Sequence, residues 1–90
     1  MNEQNAAIER IGPVVVDWTT SMVECRLSEM PDVAWRRAIR AYEARSPFFL
    51  SLSLTIATLQ AKLADPTQRL DVITAAIDER IRYANVTHRG

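Results

Sequence analysis

A single cysteine, Cys25, and a single histidine, His88, are all the thiolate and imidazole this chain offers, too few to build a zinc, haem or iron–sulfur site within one chain. A disulfide scaffold is excluded on the same count. Glycine occurs twice and proline four times, which leaves little of the punctuation that a turn-rich β architecture uses. Charge of one sign is not in excess either. The 11 Lys and Arg balance 11 Asp and Glu, so no global field draws in nucleic acid or an anionic membrane. A long apolar run is missing too. The longest uncharged stretch, Ser46 to Ala61, contains Ser51, Ser53, Thr55, Thr58 and Gln60 and falls short of the roughly 20 apolar residues of a membrane span. The polar, acidic start Met1-Asn2-Glu3-Gln4-Asn5 is the opposite of a secretory signal, so a cytoplasmic location is expected. Asn85-Val86-Thr87 matches a glycosylation acceptor, but without an export signal it carries no weight.

What is present reads as one globular domain, 1–90. A composition 48% hydrophobic and 24% charged is that of a folded rather than a disordered chain, and 90 residues hold one core. Each proline falls where a helix could begin, which predicts an all-α chain. Ala7, Ile8 and Ile11 fall on one side of a short helix from Asn2 to Ile11. From Pro13 to about Met30, Asp17, Ser21, Glu24 and Ser28 recur at helical spacing, while Val15, Trp18, Met22 and Cys25 form the complementary stripe. Met30-Pro31-Asp32 breaks the pattern, with Asp32 placed to cap a helix running from Val33 to Arg45 on Trp35, Ala38, Ile39 and Tyr42.

The segment after Ser46-Pro47 is ambiguous, since Leu50, Leu52, Leu54 and Ile56 alternate with hydroxylic residues as in a strand. A lone strand would have no pairing partner, and a helix places Phe49, Leu52, Ile56, Leu59 and Leu63 on one face; helix is the expectation. Asp65-Pro66-Thr67-Gln68 combines an N-cap, a first-turn proline and a capping-box glutamine. The helix it opens would bury Leu70, Ile73, Ile77, Ile81 and Ala84, with a frayed tail over 86–90. No repeat of fixed period is visible. The expected fold is a small bundle of four main helices, the first possibly split or kinked at Gly12-Pro13.

Catalysis is hard to assemble here. Cys25 lies on an inner stripe, where burial raises a thiol's pKa, and His88 is near the end of the chain. Asp71 and Asp78 share a helix face without the Glu-x-x-His pattern of a helical di-metal site. No catalytic residue, cofactor or metal is therefore expected.

Two features point instead to binding. Residues 33 to 45 carry Arg36, Arg37, Arg40 and Arg45 against Glu43, whereas residues 1 to 32 hold six acids and two bases; the basic helix is either a contact for phosphate or an acidic partner, or a solvated face neutralised by an acidic first helix. The uncharged helix presents Leu50, Leu54 and Ala57 beyond its Phe49 stripe, so either other helices wrap it or it binds a second copy or another protein. Leu54 is the probe: a charge there breaks an interface, or collapses a core. The expected function is a small non-enzymatic helical module that binds a protein or itself, as adaptor, inhibitor or assembly subunit, through Phe49, Leu50, Leu54, Ala57, Arg36, Arg37 and Arg40. The alternative is a nucleic-acid-associated protein using the arginines of its second helix; a third, an enzyme with its site shared across a dimer, has the least support.

Overall fold

The computed structural model describes residues 7–89, with side chains through Thr87. The elements in chain order are β1 (Arg10–Asp17), β2 (Met22–Leu27), α1 (Val33–Arg45), β3 (Phe49–Thr55), β4 (Thr58–Leu63) and α2 (Leu70–Arg89). The strands form one antiparallel sheet in the order β1-β2-β4-β3. This is a mixed α/β fold, and it corrects the all-α reading.

Two of the expected helices are hairpins. Residues 13 to 30 make most of β1 and all of β2, because Val23, Cys25 and Leu27 bury against the core while Met22, Glu24 and Arg26 stay exposed, the alternation of a half-buried strand. The polar spacing that mimicked a helix spans the turn between them. There the Asp17 carboxylate accepts from the Thr19 amide at 3.0 Å and its carbonyl from the Ser21 amide at 2.7 Å, with Ser21 at a φ of 64°. Ser46 to Ala61 forms β3 and much of β4, and β3 finds its pairing partner in β4, with Leu52 opposite Ala61 and Leu54 opposite Leu59. Their two-residue turn is Ile56-Ala57, with Ile56 at a φ of 54°.

Asp32 caps α1 as its position implies, accepting from the Trp35 amide at 2.9 Å. Asp65 does not cap α2. Its carboxylate closes a local turn on the Thr67 amide, 2.9 Å away, and the Thr67 hydroxyl, which holds its pKa below the ordinary value; the helix begins at Leu70 and continues to Arg89. Among the described residues, no helix is long and apolar enough to cross a membrane. The short helix expected from Asn2 falls partly outside the described residues, and within them Arg10 and Ile11 are strand.

The chain lays down the same ββα unit twice. Trp35, Ala38 and Ile39 are the buried stripe of α1, and Ile73, Ala76 and Ile77 hold the same places in α2. The Leu27 amide at the end of β2 donates to the Ala57 carbonyl in the second turn, and the Leu63 amide at the end of β4 donates to the Ser21 carbonyl in the first, both at 2.8 Å. β2 and β4 pair at the centre with Glu24 opposite Gln60, so the two units share one sheet and one core. A repeat kept in burial rather than in residue identity leaves no fixed period to read in the sequence.

One sheet face is covered, with Val14, Val23, Cys25, Leu27, Leu54, Leu59, Ala61 and Leu63 in one cluster with Trp35, Ile39, Ile73, Ile77 and Ile81. Among the described residues the other face is open. Its cross-strand rows run Asp17, Met22, Lys62, Ser51 and then Val15, Glu24, Gln60, Ser53.

Candidate functional site

Among the described residues, the outer strands β1 and β3 each have one side free of pairing, and they differ in how that side is guarded. In β1 the register shifts between Ile11 and Val15, across Gly12 at a φ of 76° and Pro13, and Arg10 and Asp17 stand at its ends. A bulge, a proline and terminal charges are the usual protection of a sheet edge. β3 has neither proline nor charge over Phe49-Leu50-Ser51-Leu52-Ser53-Leu54-Thr55. Its one irregularity lies near its start, between Phe49 and Ser51, where Leu50 is pushed out to 67% exposure. From Ser51 to Thr55 the pairing with β4 is regular. The ladder closes on Thr55 and Thr58 across a two-residue turn, so the alternation of antiparallel bonding directs the amides of Leu52 and Leu54 away from β4.

The entry to this edge is held from the helix layer. Oε2 of Glu43 accepts from the amides of Phe48 and Phe49 at 2.8 and 2.7 Å, and its Oε1 accepts from Nε of Arg80 at 2.6 Å. Arg80 is buried, donates also to the carbonyls of Ala76 and Ser46 and lies over the rings of Tyr42, Phe48 and Phe49. Beside this clamp Tyr42, Ser46, Pro47, Phe48, Val72, Ala75, Ala76, Glu79 and Arg80 line a groove of about 280 Å³. Glu79 raises the pKa of the Tyr42 hydroxyl on its rim by bonding to its protonated form.

The expected partner-binding residues do not form one patch. Phe49 and Leu54 are core, so a charge at Leu54 is expected to unfold the domain instead of splitting an interface. Leu50 is exposed on the edge and Ala57 is half-buried in the turn. Arg36, Arg37 and Arg40 lie on α1, where Arg36 is half-buried with Nε 3.4 Å from the Pro31 carbonyl and the other two are exposed. No acidic first helix packs beside them among the described residues, since Arg10–Asp17 and Met22–Leu27 form a hairpin. Reading from the sequence missed Ser51, Leu52, Ser53 and Ile56 as edge and turn; their alternation was the signal.

The remaining candidates are accounted for by their surroundings. Cys25 is buried, which pushes its thiol up to about 11. Asp78 accepts two bonds from Arg10, at 2.8 and 3.0 Å, and Asp71 pairs with Arg69. The Asn85 side chain of the acceptor pattern binds both backbone groups of Ile8 and the Trp35 indole. His88 lies outside the described side chains. Comparisons with protein-family models, curated proteins and solved structures find no match.

Proposed function

We propose that this chain is a small binding module with no chemistry of its own, which takes up an extended strand of another protein, or of a second copy, along β3. The observation that carries the reading is the contrast between the two edges: β1 is protected by Pro13, a bulge within the strand and charges at its ends, while β3 has no proline or charge, keeps its one irregularity to its start and pairs regularly from Ser51 to Thr55, with its outward amides unpaired among the described residues. Main-chain bonding supplies affinity in such strand addition, and side chains flanking the edge supply selectivity. The reading carries a cytoplasmic setting with it, where a single free thiol such as Cys25 is ordinary.

Ser53→Lys tests it, because Ser53 is exposed on the open face and a lysine on an edge blocks pairing without disturbing the core. Wild-type and variant proteins serve as bait in the native lysate, and the captured partner is then titrated against each with hydrogen exchange as readout. The expected result is a partner held by the wild type alone that protects the amides of β3. A partner held equally by both proteins overturns the reading.

A second reading, nucleic-acid binding through Arg36, Arg37 and Arg40, is favoured by one observation: Arg37 and Arg40 are exposed, and among the described residues no ion pair involves the three. Steeply salt-dependent binding of DNA or RNA would support it, and no binding at low salt removes it.

A further inference from the structure

We infer that the strand taken up by β3 is the β3 of a second copy, paired antiparallel about a two-fold axis at Leu52, and that the Ile56 turn of each copy seats beside Phe48 of the other; the inference rests on the edge reading above. Three observations converge on it. Leu50-Ser51-Leu52-Ser53-Leu54 reads the same in both directions. In an antiparallel pair, opposed residues share a face, so Ser51 meets the partner's Ser53 on the open face while Leu52 meets the partner's Leu52 on the helix face. A two-fold axis at Leu52 also places the residues next to it close to their own copies, so a charge there would lie beside a like charge; none occurs from Ser46 to Ala61.

The third observation concerns the end of the strand. With Leu50 bulged out of the strand, the partner's Leu54 comes opposite Phe49, and its Thr55 and Ile56 reach Phe48 and Pro47, which line the 280 Å³ groove together with Val72, Ala75 and Ala76. Ile56 is 70% exposed and held at a φ of 54°. A β-branched residue is a poor choice for that backbone, and one exposed so far gains nothing in the isolated chain. Insertion into the apolar groove of a second copy supplies the missing benefit, and the two-fold axis supplies it twice.

Sedimentation of the full chain up to high micromolar concentration, with disulfide trapping, tests the inference. The wild type is expected to dimerise, Ser53→Lys to remain a folded monomer, and Ile56→Gly to weaken the dimer by about tenfold while raising the melting temperature of the monomer. On oxidation Leu52→Cys is expected to link to itself. Ser51→Cys links only when mixed with Ser53→Cys, and this exposed pair reads the same register should Leu52→Cys fail to fold; Cys25 is buried and stays in place. A wild type that is monomeric throughout overturns the second copy as occupant and leaves the edge reading to its own capture test. A dimer unchanged by Ser53→Lys overturns both. A dimer lost in Ser53→Lys that neither cysteine set traps overturns the register, and one unaffected by Ile56→Gly overturns the seat beside Phe48.

Discussion

At the scale of single residues, Cys25 shows what this core does to a titratable group. Its side chain faces the helix layer from the central strand β2, opposite Leu59, and is 2% exposed. Burial in that setting favours the neutral thiol, hence a pKa of about 11. The unfolded chain releases the proton near the ordinary thiol value, about two units lower, so the unfolded state gains from rising pH first. Stability from this group is therefore complete below about pH 9 and is lost as the pH rises toward 11. Denaturant melts of wild type and Cys25→Ala across that window are expected to show a decline in the wild type on the order of 2 kcal/mol steeper than in the variant. Parallel curves would mean the thiol is not desolvated as the packing implies. The same burial makes Cys25 slow to react with thiol reagents until the chain unfolds.

Of the two helices, α1 is the one that begins on a capping side chain. Asp32 accepts from the Trp35 amide, so Asp32→Ala is expected to lower stability by about 1 kcal/mol in denaturant melts; a change indistinguishable from zero would deny the cap. Asp65→Ala loosens only the turn before α2, and its effect should be the smaller of the two. This element was legible because cap and 3.6-residue period agree over Val33 to Arg45. The strands were not, for a specific reason. Hairpin turns announce themselves through glycine or asparagine at positive φ, yet here Ser21 and Ile56 occupy those conformations. With the turns silent, Leu50 to Ile56 had alternation but no visible partner. The partner's own alternation, Leu59, Ala61 and Leu63 inward against Gln60 and Lys62, begins three residues on. The apolar residues of the uncharged stretch divide between core and edge, with Phe49 and Leu54 buried and Leu50 exposed, a division that alternation without a visible partner does not reveal.

For the whole molecule, the question is what locks two ββα units into one body, and the buried pair of Glu43 in the first unit and Arg80 in the second is the most concentrated answer. Arg80 has 4% of its side chain exposed and Glu43 14%; the arginine also reaches Ser46, and Glu43 fixes the two amides that lead into β3. Removing one member of such a pair strands a charge in a poorly solvated place, which costs about 3 to 5 kcal/mol, a large share of the stability of a domain this size. Removing both charges with volume retained should cost far less, because Tyr42, Phe48 and Phe49 already surround the guanidinium and accept a thioether well. We therefore expect Glu43→Gln to destabilise by several kcal/mol, and the double variant Glu43→Gln with Arg80→Met to be no less stable than Glu43→Gln alone. A double-mutant cycle in denaturant melts measures the coupling directly, and strict additivity would show that the two side chains act independently. Hydrogen exchange adds a readout that stability alone does not provide. If the clamp sets the entry of β3, the amides of Phe48 and Phe49 lose protection in Glu43→Gln well before those of Leu59 and Ala61 at the sheet centre, whereas loss spread evenly over the sheet would reduce the pair to an ordinary contributor to the core.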